Sequence, residues 1–271
     1  MKKKIEAEVT IRSIVRAHVE AYAVGFSERH LSELNDPEGT LNMKIHNVFI
    51  ASLGEEIQYY SALARSLDSS LGNMLEAMAI NIAKLFYEVH TNVEGYITSK
   101  QINLISNILE GYTRNIKKPE ISDYINLRNT KGNVMRKIFK KKSSDYYLID
   151  KENNEHHLIE LKIGGDLDNK KARSEKEAIL EQYAILSNSL PEHTKIYIYF
   201  ATAYNRYGEG KPWQQSRVLQ FFAQEELLIG RDFWNFICKS DKGYEVVLDE
   251  YKKSAPLIVS ALNKIKKAYL K

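Results

Sequence analysis

The sequence predicts an α/β protein, with a mixed β-sheet core flanked by helices and a helical N-terminal region. Two observations carry this. Apolar residues recur at helical spacing through most of the first 116 positions, whereas strand-like runs begin at Tyr146 and then alternate with a helical segment. At 271 residues the chain is near the upper size for a single core, which suits one α/β domain with a helical elaboration.

Ile5, Val9, Ile14, Val15, Val19, Ala21 and Val24 mark a helix over 2–34, and Asn35-Asp36-Pro37-Glu38-Gly39 stops it. Ile45, Phe49, Leu53, Ile57, Tyr60 and Leu63 predict a second helix over 42–67. Ser69-Ser70 offers an N-cap for a third, with Gly72 for close packing and Met74, Leu75, Met78, Ile82, Leu85 and Phe86 as its buried face. Residues 99–116 form a fourth, and 117–143 are polar, basic and poorly periodic, hence loop or short elements.

The period changes at Asp145. Tyr146–Ile149 and His157–Ile163 read as strands joined by Lys151-Glu152-Asn153-Asn154, and Gly164-Gly165 ends the second. A helix follows from Lys170 to Ser187, with Ile179, Tyr183 and Leu186 inward. Lys195–Ala203 is a strand of β-branched and aromatic residues, and Tyr204–Trp213 is a loop punctuated by glycine and proline. The remainder reads as a helix, a short run Leu227-Leu228-Ile229, a helix from Asp232 and a long C-terminal helix. The expected organisation is a helical region, residues 1–65, packed on a core of residues 66–271.

Composition narrows the function. With 44% hydrophobic and 27% charged residues the protein is an ordinary soluble globular chain, and no apolar run approaches the ~20 residues that span a bilayer. The basic start lacks a following apolar segment, so it is not a secretory signal, and the expected location is the cytoplasm. A lone Cys238 excludes a disulfide framework, a zinc finger and a four-cysteine cluster. The net charge of +4 is modest, but it is unevenly spread. Ten cations lie between Arg114 and Lys142, Lys131 and Arg136 among them, against only Glu120 and Asp123. The last twenty residues add six lysines and no acid. Such density suits a phosphate backbone, or else a solvated lysine-rich surface.

The hairpin carries the chemistry. With a four-residue loop at 151–154, Asp150 faces Glu155, and counting back sets Asp145 opposite Glu160. Directly opposed residues share a face with Cβ atoms ~5 Å apart, and Lys162, two along from Glu160, joins them. A two-residue loop would set Asp145 opposite Lys162 and keep the three together, whereas a slip by one would part them. Two close carboxylates repel unless one is protonated or a cation lies between them. Their oxygens suit Mg²⁺, completed by water and phosphate, with the lysine beside it to orient a water or stabilise charge on phosphorus. Glu-x-Lys alone is common, and the alternative is an exposed hairpin with a cross-strand ion pair. Asp150 is the rival acid, and its position at the turn suits loop capping better.

Asp, a strand, a turn and Glu-x-Lys on the next strand resembles the PD-(D/E)xK nucleases; the match departs at Ser144, where the motif has a Pro that is often absent in the superfamily. In such nucleases a helix Glu after a glycine commonly reaches the metal through water, a role that Glu76 fits; the alternative is an exposed helix Glu with an i,i+4 contact. Further segments follow in order: SLDSSLGNMLE, IELKIGG, ATAYNRYGEGKPW and LLIGRDFWNFI. Together, over about residues 66–250, they resemble the TdeIII-type family of type II restriction endonucleases. That resemblance implies a restriction-endonuclease-like fold and a Mg²⁺-dependent homodimer that cuts both strands of double-stranded DNA at a short site. A cognate DNA methyltransferase would be expected in the same host. Ile163-Gly164-Gly165-Asp166 departs from the polar stretch expected after the lysine.

Lys170, Lys171, Arg173 and Lys176 stand at the start of the helix after Gly165, where they could bind phosphates of the scissile strand, although cations there oppose the helix dipole. Asn205, Arg206, Lys211 and Trp213 lie on a loop after a core strand, where base readers are often carried. Phe233, Trp234 and Phe236 read as packing, and the seven histidines show no ligand spacing. The sequence thus points to a type II restriction endonuclease in which Asp145 and Glu160 hold Mg²⁺, Lys162 positions water and Glu76 supports them. A structure-specific or repair nuclease, and a non-catalytic DNA-binding protein, are the alternatives.

Overall fold

The computed structural model describes residues 2–130, 137–165 and 167–270, so Lys131, Arg136 and Asp166 lie outside the described residues. In chain order the elements are α1 (Lys2–Ser32), α2 (Val48–Ala51), α3 (Glu55–Ala83), β1 (Glu88–Thr98), α4 (Ser99–Thr113), α5 (Ser122–Asn129), β2 (Lys137–Asp150), β3 (Glu155–Leu161), α6 (Asn169–Ser189), β4 (Lys195–Thr202), α7 (Ser216–Leu219), β5 (Leu227–Ile229), α8 (Arg231–Ile237) and α9 (Gly243–Tyr269). They form two compact units, residues 1–82 with 245–271, and residues 83–244.

The first unit is helical. Phe26, Leu41, Tyr59, Ala62, Leu63 and Ile265 form a buried apolar cluster that ties α1 and α3 to the C-terminal helix. Arg16 Nη2 adds an ion pair at 2.7 Å to Glu250. The division therefore differs from the expected boundary at 65/66, which falls inside α3. The second and third expected helices also differ. Residues 42–51 form a 3-10 turn and the short α2, and α3 runs unbroken through Ser69, Ser70 and Gly72. Ser70 does not cap; its hydroxyl donates to the Ser66 carbonyl at 2.7 Å, one turn back, which leaves the helix intact.

The second unit is built on a five-stranded mixed sheet in the order β1-β2-β3-β4-β5. β1, β2 and β3 pair antiparallel, and β3, β4 and β5 pair parallel. The hairpin has the register read from the sequence, Asp150 opposite Glu155 and Tyr146 opposite Ile159. Asp150 caps the loop, accepting the backbone N–H of Glu152 at 3.1 Å and the Asn153 amide at 2.9 Å. The parallel step from β3 to β4 is the crossover that α6 makes. α6 starts at an N-cap, Asp168, whose Oδ1 accepts the Lys171 N–H at 2.7 Å. Its Ile179, Tyr183 and Leu186 are buried, and they share one core with Tyr147, Leu158, Ile198 and Phe200 of the sheet. On the opposite face His157 stacks on Tyr197 and packs edge-on to Phe236 of α8.

Two parts of this sheet depart from expectation. The sequence does not predict β1, and the stretch expected as loop or short elements holds the short α5 and also the first half of the long β2. β2 also bulges. Tyr147 pairs with His90 and Ser143 with Asn92, so Ser144, Asp145 and Tyr146 stand opposite the single residue Thr91. Bulges bend a strand and re-aim its side chains. This one falls on Asp145.

The start of α6 is pinned from within. Lys176 is fully buried, with its ammonium 2.8 Å from Glu226 Oε1, and it donates to the Tyr124 hydroxyl. Its charge also lies over the Phe222 ring, 4.5 Å from the centroid. Burial pulls this ammonium below the ordinary lysine pKa, and Glu226 opposes the shift. Removing one partner of a buried pair leaves an uncompensated charge, whereas an apolar pair of similar volume does not. Glu226→Ala should therefore lower unfolding free energy by about 3–5 kcal/mol, and Lys176→Met with Glu226→Leu by much less, as urea denaturation will measure.

Candidate active site

The end of the β2–β3 hairpin gathers the charged residues. Glu160 follows Leu158 by two positions, so it shares the α6-facing side of the sheet. Beyond Tyr146 and Ile159 the backbone ladder stops, and the Asp145 carboxylate takes over: its Oδ2 accepts the Leu161 N–H at 2.9 Å. One carboxylate oxygen is thus fixed against β3. The Lys162 N–H donates to the Ala201 carbonyl at 3.0 Å, so the residue just past β3 is still held to β4. Lys162 then directs its ammonium back over the sheet. It pairs with Glu160 directly, lies 3.7 Å from Asp145 Oδ2, and lies 3.3 Å from Glu175 Oε1 on α6.

Gly164-Gly165 makes the tight exit from this strand. Gly165 has φ of 64°, a left-handed conformation, and a Cβ there would sit 2.7 Å from the Thr202 methyl. Trp213 packs on the same spot. The glycine pair therefore lets the chain turn from β3 into α6 directly beside the charged cluster.

Three carboxylates around one ammonium leave an excess of negative charge. Burial and the neighbouring Asp145 raise the Glu160 carboxyl to about 8, against the opposing pull of Lys162. Burial alone would lower the Lys162 ammonium, but Glu160, Asp145 and Glu175 outweigh it and hold the group above the ordinary lysine value. The cluster is partly open: Asp145 and Lys162 side chains are each 30% exposed. All its members except the lysine are oxygen donors.

Glu175 was passed over in the sequence. The signal was present: it lies three residues after Ala172 and four before Ile179, both buried, so it stands on the stripe that faces the sheet. A charged residue in an apolar stripe needs a partner, and the sequence alone does not say which.

The expected DNA-contacting residues divide. Lys170 and Lys171 are exposed at the start of α6, and Arg206 and Lys211 are exposed on the loop after β4. Arg173 pairs along the helix with Glu177 at 3.4 Å. Three others do not fit the expectation. Lys176 is buried against Glu226 and cannot reach a phosphate. Asn205 works within its loop, donating to the Lys211 carbonyl at 2.7 Å and accepting the Tyr207 N–H at 3.0 Å. Trp213 is 6% exposed and packs under Gly165 and Phe200, which leaves no face for a base. Glu76 lies on α3 in the first unit, whereas Asp145, Glu160, Lys162 and Glu175 all belong to the second.

The raised Glu160 has a sign that can be checked. An unfolded glutamate is ionised above its ordinary pKa, while the folded one keeps its proton until about 8. Between these limits the folded state binds more protons, so this group's contribution to stability falls as pH rises. Glu160→Gln should therefore stabilise the metal-free protein at pH 7.5 by roughly 1–2 kcal/mol and flatten the decline in melting temperature between pH 5 and 8. Thermal melts across that range in chelator will show it, and a lower melting point for the variant would refute the charge excess.

A family model described as "Type II restriction endonuclease, HinfI" matches residues 8–255, nearly the whole chain. No curated protein and no solved structure matches it. The class indicated by the ordered sequence segments is therefore met, and within that class the matching family is HinfI, with no support for a TdeIII-type specificity. The sheet with its flanking helices agrees with a restriction-endonuclease-like α/β fold, and no described helix is long and apolar enough to cross a membrane. The chain belongs to the HinfI family of type II restriction endonucleases, which makes it a site-specific deoxyribonuclease acting on double-stranded DNA.

Proposed function

We propose that the protein hydrolyses both strands of a short specific DNA sequence, using Mg²⁺ held by Asp145 and Glu160, and leaves 5′-phosphate and 3′-hydroxyl ends. The observation that carries this reading is the meeting of Asp145, Glu160 and Lys162 at the partly open end of one hairpin. The donors fit the ion. Magnesium prefers carboxylate oxygens and needs only one or two when water and phosphate complete its octahedron. A bound Mg²⁺ would supply Lewis acidity toward the phosphate and acidify water.

The chain's own residues do the rest. Lys162 has three N–H donors and no acceptor, so it orients the attacking water and supports charge on the non-bridging phosphate oxygens. The fixed Asp145 oxygen and the strand-borne Glu160 hold this arrangement without loop motion, as precise positioning requires. Water attacks phosphorus in line with the 3′ oxygen, which leaves as the hydroxyl. Lys170, Lys171, Arg206 and Lys211 are the exposed cations offered to the backbone and bases. A companion DNA methyltransferase would protect the host's own sites.

A duplex has two strands, and each chain carries one such acid–lysine set among its described residues. A twofold-symmetric pair of chains would match a twofold-symmetric site. The helical unit offers a surface for it: Met43, Ile45, Val48, Phe49, Leu53 and Ile57 are all exposed, Phe49 to 83%.

Incubation with a fully sequenced plasmid and Mg²⁺ should give discrete fragments, and a smear would overturn sequence specificity. Lys162→Ala should lose about 10³-fold or more in cleavage rate while binding the specific duplex within about threefold of wild type. Full cutting by that variant would remove Lys162 from the chemistry. In sedimentation, the wild type should run as a dimer and Phe49→Asp with Leu53→Asp should shift it toward monomer. A wild-type monomer that cuts both strands at once would exclude the second copy.

A further inference from the structure

We propose that Glu175 is a positioning residue that keeps the Lys162 ammonium in place when a divalent cation occupies the carboxylates of Asp145 and Glu160. The inference rests on the nuclease reading of those three residues. Without a metal, Lys162 is paired directly with Glu160 and leans on Asp145 at 3.7 Å. A doubly charged ion bound by those two acids repels the ammonium and takes away the partners that aim it. Lysine's stem is long and flexible, and this one is 30% exposed, so it can turn toward solvent. Glu175 Oε1, 3.3 Å from Nζ, is the anion that remains.

Three features suit Glu175 to that task. It comes from α6, so it does not share the hairpin's backbone. It faces the amine from the helix side, with Oε1 3.3 Å from Nζ. Its place is preset, because Ala172 and Lys176 on the same helix are both fully buried and hold that turn against the core. The cations beside it in sequence are committed elsewhere, Arg173 to Glu177 and Lys176 to Glu226. Charge balance agrees: three carboxylates, one ammonium and one divalent ion sum to zero.

The test compares the full-length wild type with Glu175→Gln, Glu175→Asp and Lys162→Ala. Steady-state cleavage of a specific duplex gives kcat and KM, and calorimetry gives Ca²⁺ affinity of the protein–duplex complex without turnover. Glu175→Gln should lower kcat about 10–100-fold, with KM and Ca²⁺ affinity each within about twofold. Glu175→Asp, which keeps the charge, should recover to within about fivefold of wild type and decides the matter if the glutamine variant does not fold. Wild-type kcat in Glu175→Gln would overturn the proposal, as would a tenfold loss of Ca²⁺ affinity, which would make Glu175 a ligand. Equal loss in the aspartate variant would also overturn it. Inactive Lys162→Ala beside fully active Glu175→Gln removes only the role of Glu175, whereas fully active Lys162→Ala removes the nuclease reading beneath it.

Discussion

The Lys162 ammonium holds together a group of acids that would otherwise repel one another at the end of β3. Glu160 is carried by a strand, Asp145 by a bulge on its neighbour and Glu175 by a helix. No two come from the same element, yet one cation faces all three. Such a cluster is costly in the absence of a further positive charge, because burial removes the water that would screen it. The cluster therefore carries more negative charge than its one ammonium balances.

The surrounding structure reads as support for that group. Asp145 could have been an ordinary strand residue, but the bulge at Ser144–Tyr146 ends the ladder there and turns its carboxylate to a backbone donor on β3. Gln182 of α6 donates to the Ser143 carbonyl at 2.9 Å, which secures the strand just before the bulge. α6 itself serves two neighbouring ends. Glu175 and Lys176 are adjacent in sequence and lie about 100° apart around the helix, so one faces the charged cluster and the other enters the core. The buried Lys176–Glu226 pair contributes placement more than stability, since an apolar pair could fill the same space. It ties α6 to the segment before β5.

The family result and the geometry bear on different questions. The matched model covers residues 8–255 and establishes what class of reaction the chain performs. The local arrangement bears on which atoms could perform it. The hairpin and its Glu-x-Lys lie well inside the matched region.

Much of this was legible in the sequence where signals are local. The hairpin register followed from four loop residues and period-two alternation, and α6 from its apolar stripe; α1, α4 and α9 were expected as helices, although Ile5, Val9 and Val24 of the stripe read for α1 are exposed. β1 was not legible, because as an edge strand it buries deeply only Val93, Ile97 and Thr98, and Asn92 and Gly95 interrupt its pattern. The false break in α3 arose because serine and glycine favour helix ends on average, while packing on both sides overrides that preference. By itself the sequence determined which residues share a face over the paired part of the hairpin, Tyr146–Asp150 and Glu155–Ile159, since that depends only on the alternation of side chains along a strand. Only the tertiary structure decided that Lys176 is buried rather than offered to DNA, that Asn205 and Trp213 brace a loop, and that Glu175 meets Lys162. Each of those depends on a partner distant in the chain, and the charge of a side chain does not say which opposite charge it will find.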